Sequence, residues 1–392
     1  MRFRAAWVIV PLLLAAACGG APSDDDATAK SAPTPTATPT VPTAASTVAP
    51  AVRYPGSAWA RSERGDWSEL DAILARDGST CVAVIKDGVL VHDGYWNGGG
   101  AEVPQRVYSI TKSLSSLLVG MYVDGGEVDL DGSASEQVDE WRGGPAEEVT
   151  VRSLLAMTSG RHGDESADRH MIRVAPDKTA YSVGVAQDRG PDEGWSCDNV
   201  AAQTLESVLD DVDETDDVVD IAQRRLFGPI GMRHTTWARD AAGNALTFSG
   251  VESTCHDLAR VGHLMLNEGT WKGEQLLSAD YVEQATSPSS AHNAAYGLMW
   301  WTNGRGRIVE VLRQAGFADD KAPYDGPRTS CTGRCVLGLR LRQPVRRGGA
   351  ERGSRRGAAR FSAGDPRPGD VRLVHRRCVV VGGSRSCKPV TV

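Results

Sequence analysis

The sequence predicts an α+β fold. Strand-like runs fall early, near residues 79–96, and late, near 295–302, with helical patterns between them. Early and late strands can share one antiparallel sheet. The intervening helices then flank it as a helical insertion, unlike the alternation of a doubly wound parallel sheet. Apolar residues are 41% and charged residues 24% of the 392, the balance of a globular protein. The net charge of −7 gives no reason to expect a nucleic-acid partner.

The first 18 residues, MRFRAAWVIVPLLLAAAC, place two arginines before an apolar core that small residues follow. This is the layout of a secretory signal, too short and wrongly flanked for a stable membrane span. LLLAAAC resembles a bacterial lipobox, which implies cleavage before Cys18 and lipid on Cys18. The plainer alternative is a signal peptide that ends near Cys18 by chance. A lipid there would tether the protein outside the cytoplasmic membrane. Residues 19–52 are rich in Ala, Pro, Thr and Ser and carry the acidic run Asp24-Asp25-Asp26. That composition builds no core and reads as an extended linker. The folded domain is expected over residues 53–326.

Within it, WSELDAILAR (67–76) has helical spacing and ends before Asp77-Gly78. In TCVAVIKDGVLVHDGYW (80–96), Asp87-Gly88 separates two β-rich runs, a hairpin signal. Residues 109–123 form a helix with Leu114, Leu117, Leu118 and Met121 on its buried side, stopped by Asp124-Gly125-Gly126. Thr150 caps a short helix, VRSLLAM, halted at Thr158-Ser159-Gly160. Residues 200–209 and 218–226 read as helices, and Pro229 and Gly231 punctuate the second. Asp216-Asp217 suits a helix start, and the acids at 210–214 a solvated turn. Residues 254–267 are helical, with Leu258, Val261, Leu264 and Met265 at core spacing; 279–285 are a short helix. AYGLMWWT (295–302) reads as a strand with Trp300 and Trp301 on opposite faces.

The chemistry is concentrated in RVYSITKS (106–113). Ser109 and Lys112 are almost one helical turn apart and share a face. A serine hydroxyl is a poor nucleophile until its proton has an acceptor. A lysine crowded by apolar neighbours would lose affinity for its proton and could be that acceptor. Ser109 would also sit at the positive end of the helix dipole, and its own N–H could supply one oxyanion donor. The structural alternative is an N-cap serine followed by a surface lysine. His162, His170, His234, His256 and His263 do not form a spaced ligand set, and no metal or cofactor is expected.

SITK resembles the nucleophile motif of penicillin-binding proteins and class C β-lactamases. Other stretches follow in that family's order: LLAMTSGRHGD (154–164), PDEGWSCDN (191–199), LFGPIGMRHTTW (226–237), STCHDLARVGHLMLNEG (253–269) and YGLMWW (296–301). The resemblance covers roughly 55–326 and is nearest to the β-lactamase-related serine hydrolases, among them esterases, D-amino-acid peptidases and 6-aminohexanoate-dimer hydrolases. It implies a β-lactamase/transpeptidase-like fold and an acyl-enzyme on Ser109, with an amide or ester substrate such as a peptide or cell-wall fragment. It implies further that Asn199 binds the substrate amide. The family places a tyrosine of the proton relay where this chain has Cys197. Cys197 could take over the relay with a thiol titrating near neutrality, or be oxidised with Cys255 or Cys81. Tyr181 could bring a phenol from another direction. With the tyrosine replaced, a catalytically impaired protein that keeps the fold and binds at the surface is the rival reading.

From residue 327 the character changes. Fifteen arginines and one lysine face three acids, a net charge of +13 that leaves −20 on the residues before it. Runs such as RRGGAERGSRRGAARF have no helical or strand period. The family's last strands and third motif belong here, so the late strands are expected to be missing and the tail to lie outside the domain. One reading is a basic disordered tail. Another is a shifted reading frame. CVLGLRLRQPVRRGGAERG can be encoded by GC-rich codons whose +1 frame reads VFWAYGYGNQFVAVVPSEG, which is apolar and resembles the missing segment. Cys331-x-x-x-Cys335, the one pair near zinc-site spacing, falls in this stretch.

Overall fold

A computed structural model describes residues 52–76, 78–213 and 216–302, and the backbone of two later strands. All of these lie in the second of the two units into which the chain divides, Ala51–Val392. The expected signal segment, Cys18 and most of the expected linker lie outside the described residues.

The domain opens with α1 (Ser68–Arg76), then β1 (Ser79–Lys86) and β2 (Val89–Tyr95). Asp87 and Gly88 join the two strands and both take positive φ, 51° and 75°, the left-handed pair that a two-residue hairpin needs. A side chain at 88 would also collide with the Arg53 carbonyl, 2.0 Å from where its Cβ would stand. Next come β3 (Gln105–Arg106), α2 (Ile110–Gly125), α3 (Val151–Leu155), α4 (Glu165–Arg173), α5 (Lys178–Gly184) and α6 (Asn199–Asp211). Then follow α7 (Val218–Ala222), which runs through a wider turn into α8 (Gly228–Ile230), and β4 (Thr236–Trp237) and β5 (Val251–Ser253). The described residues continue with α9 (Cys255–Leu266), β6 (Thr270–Trp271), β7 (Glu274–Gln275), α10 (Ala279–Ala285), β8 (Cys335–Leu339) and β9 (Cys378–Ser384).

The main sheet runs β2-β1-β9-β8, every neighbour antiparallel. β1 is buried on both faces. Cys81, Ala83 and Ile85 point into the large core, while Val82 and Val84 pack with Val91, Trp67, Leu74 and Trp96 on the other side. A disulfide from Cys81 to Cys255 ties β1 to the first turn of α9.

Three expectations need correction. The tail is not wholly without strands: of its two short runs, CVVVGGS pairs onto β1 and CVLGL pairs onto CVVVGGS. Apolar and β-branched residues suffice for backbone pairing over such lengths, and a reading dominated by the surrounding arginines passes over them. Residues 295–302 make no strand but a tight turn, in which Gly297 N–H donates to the Trp300 carbonyl (2.8 Å) and Met299 has φ +61°. Trp300 is buried and Trp301 only partly so, as alternation would also give. α4 and α5 were not anticipated. Both are polar overall, yet α4 is amphipathic, with Ala167 and Met171 buried one turn apart, and both carry caps, Asp164 and Asp177, whose carboxylates accept from the N–H of Ala167 and Ala180.

Candidate active site

The nucleophile position is built by a turn out of a small sheet. β3 pairs with β5, and β5 with β4. Val107 N–H continues the pairing by donating to the Val251 carbonyl (3.0 Å). Tyr108 then turns left-handed, φ +48°, a conformation a bulky residue adopts only when its surroundings impose it. Ser109 caps α2 without spending its hydroxyl on the cap. Thr111 fixes the first turn, its Oγ1 accepting from Val251 N–H at 3.1 Å.

α2 is buried on all sides from Ile110 to Tyr122, more than the one-sided pattern of leucines suggests. Its polar residues are satisfied instead of exposed: Ser113, Ser115 and Ser116 donate to the carbonyls of Met299 (2.7 Å), Thr247 (2.9 Å) and Leu298 (2.7 Å).

Lys112 is 2% exposed. Its Nζ lies 3.1 Å from Ser109 Oγ, 2.6 Å from Asn199 Oδ1 and 3.1 Å from the Phe248 carbonyl. Burial pushes its pKa below that of an ordinary lysine, and Cys197, Asp168 and Asp198 pull it back up. The three acceptors match both protonation states. A neutral amine has two N–H groups for Asn199 and Phe248, which leaves its lone pair facing Ser109. An ammonium has three, one for each acceptor.

Asn199 begins α6 beside Cys197. Asp198, the N-cap, accepts from Ala201 N–H. The loop after α3 closes over this stretch: Ser196 N–H donates to the Met157 carbonyl at 2.9 Å. At Gly163 a Cβ would stand 2.4 Å from that of Asp198, so only glycine fits. Burial raises the Asp198 carboxyl to about 7, with Asp168 adding to it and Ala201 N–H, Lys112 and Arg161 opposing.

Cys197 is a thiol, because the disulfide joins Cys81 to Cys255. The pairing of Cys197 with either is therefore corrected. So is its titration near neutrality. Burial raises the thiol to about 11, and the nearby Lys112 charge does not offset this. Tyr181 sits on α5 with its ring stacked on His170, 5.0 Å between centroids, and is not brought to the Ser109–Lys112 pair. Tyr296 does approach Cys197: its ring packs at 5.3 Å on Trp195, and burial, then Cys197 and Asp198, raise its phenol well above the usual value.

The structure thus gathers Ser109, Lys112, Cys197 and Asn199. Sequence reasoning missed Asp168, Asp198, the Phe248 carbonyl and Tyr296. Only Asp198 had a visible signal, as an acid two residues before a helical run. Asn199 is also more committed than expected, since one Nδ2 hydrogen goes to Asp168 (2.7 Å) and only the other is left for a substrate.

Comparison with known proteins gives the family and the fold. The profile of the Beta-lactamase family matches residues 70–322. A 6-aminohexanoate-dimer hydrolase from Paenarthrobacter ureafaciens is 23% identical over 268 residues, 61% of this chain and 68% of that protein. A solved Bacillus anthracis structure, provisionally assigned as a 6-aminohexanoate-dimer hydrolase, superposes with a TM-score of 0.61 at 15% identity, covering 86% of this chain and 85% of its own. A solved Bacteroides dorei structure, provisionally assigned as a beta-lactamase, gives 0.54 at 17% identity, covering 61% and 79%. The fold is β-lactamase/transpeptidase-like.

Proposed function

Because the chain belongs to the beta-lactamase family, we propose that it is a serine hydrolase that cleaves an amide or ester through an acyl-enzyme on Ser109. The observation that carries this is the placement of Lys112 Nζ, 3.1 Å from Ser109 Oγ and buried with two other acceptors. Ser109 Oγ attacks the substrate carbonyl carbon as its proton passes to the Lys112 lone pair. Ser109 N–H donates to the developing oxyanion. Collapse of the tetrahedral intermediate breaks the bond to the leaving amine or alcohol, which takes a proton from the Lys112 ammonium. Water then attacks the acyl carbon and gives its proton to Lys112; collapse of the second tetrahedral intermediate breaks the bond to Ser109 Oγ, which takes that proton back from the Lys112 ammonium as the acid leaves. A substrate of the small linear amide class is supported by the name of the Paenarthrobacter relative, a hydrolase of a 6-aminohexanoate dimer.

The test is labelling with a fluorophosphonate, read by peptide mass spectrometry. Modification of Ser109, abolished in Ser109→Ala, is expected. An unlabelled Ser109 in folded protein overturns the assignment and favours the second reading, a fold-retaining binding protein. The thiol at 197, raised to about 11 where the family has a phenol, is what speaks for that reading.

The protein acts, in this reading, outside the cytoplasmic membrane, held by lipid on Cys18. The Cys81–Cys255 disulfide supports an oxidising compartment. Labelled palmitate should be incorporated by the wild type and not by Cys18→Ala. Incorporation by both would overturn the anchor.

A further inference from the structure

Asp168 lies on α4, a helix the sequence does not announce, and touches neither Ser109 nor Lys112 through any hydrogen bond. It grips Asn199 twice. Oδ1 accepts from Asn199 N–H at 3.0 Å, and Oδ2 accepts from Asn199 Nδ2 at 2.7 Å. An amide has one donor end and one acceptor end. With Nδ2 drawn to Asp168, Oδ1 has to face the other way, and there it meets Lys112 Nζ at 2.6 Å.

We infer that Asp168 is a positioning residue: its carboxylate sets the orientation of the Asn199 amide, and the Asn199 oxygen in turn holds Lys112 as the proton carrier for Ser109.

The inference rests on the serine-hydrolase reading for its consequence, though not for its geometry. Two donors of Asn199, one on the backbone and one on the side chain, require two acceptors, and a carboxylate supplies both. A carboxamide at 168 supplies one. If its oxygen took the backbone N–H, its NH₂ would face the Asn199 side chain. The Asn199 amide would then turn over and present Nδ2 to Lys112. That removes an acceptor from the ammonium and aims a positive dipole end at it. The neutral amine would be favoured and the proton less readily held. The groups that face Lys112 electrostatically are Cys197 and Asp198 beside Asn199, and Asp168 from α4. Loss of the Asp168 charge acts in the same direction as loss of the amide orientation, so the two contributions have to be separated.

A double-mutant cycle does this. The chain has seven lysines, so selective ¹³Cε-lysine labelling gives a spectrum in which Lys112 is assigned by its absence in Lys112→Ala. Asp168→Asn should move the Lys112 titration down by about one to three pH units, the reversed amide supplying the larger part and the lost counter-charge the rest. In an Asn199→Ala background the same substitution should move it by less than half as much, since no amide is left to turn. The acid limb of the kcat/KM profile should follow the NMR titration in Asp168→Asn. Asp168→Glu, which keeps both acceptors, should recover part of the shift. Thermal melts identify any variant that fails to fold. For such a variant, ¹⁵Nδ2 shifts of Asn199 in the wild type, followed as Asp168 is titrated, replace it. A Lys112 titration unmoved by Asp168→Asn, or moved equally in both backgrounds, overturns the inference. Failure of the hydrolase reading is separate: it would appear as no fluorophosphonate label on wild-type Ser109 while the Lys112 titrations still shift as stated.

Discussion

Cys255 opens α9 already bonded to Cys81 in β1, a residue 174 positions earlier in the chain. The cross-link joins an edge of the helical region to the centre of the sheet. Closing so long a loop restricts the unfolded chain strongly, and loss of a native bridge typically costs about 2–5 kcal/mol. The double variant Cys81→Ala/Cys255→Ala should lose stability in that range in urea denaturation. A loss below about 1 kcal/mol would show that packing alone secures the junction.

Ser109→Ala should abolish hydrolysis and labelling together, because no other hydroxyl among the described residues accepts from a buried lysine. Lys112→Ala should reduce kcat by a factor on the order of 10²–10⁴, the usual range for a lost general base. It leaves Asn199 Oδ1 and the Phe248 carbonyl without their donor, so a lower melting temperature should accompany it. Near-normal turnover in either variant contradicts the assignment.

Cys197 should be inert to alkylation in the native state. A thiol at about 11 holds a thiolate fraction on the order of 10⁻³ at pH 8. Iodoacetamide at that pH should leave Cys197 unmodified in folded protein and modify it fully in urea, read by mass spectrometry. Rapid native modification would mean that the thiol ionises near neutrality after all. Cys197→Tyr, which restores a phenol beside Lys112, should raise turnover. Reduced turnover with an unchanged melting temperature would count against a relay at this position.

Two buried carboxyls set a pH dependence. Burial raises Asp198 and Glu206 each to about 7, well above the ordinary carboxyl range. The folded protein therefore holds these protons where the unfolded chain has released them. Their contribution lowers stability as pH rises through about 4 to 7 and is constant above. Asp198→Asn keeps an oxygen able to cap α6 and removes the charge. Its stability relative to wild type, measured by urea denaturation, should improve between pH 4 and 8. A difference independent of pH would show that Asp198 is ionised throughout.

The parts of the fold legible in advance were those marked by local chemistry. Asp87-Gly88 specified its turn, Thr150 capped its helix, and Ser109 and Lys112 lay on one helical turn. What was missed depends on approach between distant segments. Asp168 meets Asn199 across 31 residues, and the Phe248 carbonyl meets Lys112 across 136. A backbone carbonyl has no side-chain identity in the sequence, so nothing could mark Phe248. Cys197 is legible as a residue, but its titration follows from the apolar groups and the acids Asp168 and Asp198 that the fold packs around a half-buried thiol, which spacing does not report. The pattern of leucines on α2 showed one buried face and could not show that its serines were buried too.

For the tail we propose a shifted reading frame near codon 327. The gene should keep its +1 frame open through the codons of residues 327–392, and a chain expressed in that frame should be more soluble and more active. β9, paired on β1, and β8, paired on β9, then mark where the restored segment would pair. Early stop codons in the +1 frame would end the proposal.

The serines of α2 bear on how this protein can be altered. Ser113 and Ser116 are bolted to the backbone carbonyls of Met299 and Leu298, and Ser115 to that of Thr247. Carbonyls belong to every residue type, so the side chains at 247, 298 and 299 can change without cutting these bonds. A one-residue insertion or deletion there cannot be absorbed, because it moves the carbonyls past the hydroxyls that hold them. The two loops are thus closed to changes of length, and because the side chains of Thr247, Leu298 and Met299 are themselves buried, variation of this protein belongs at other positions.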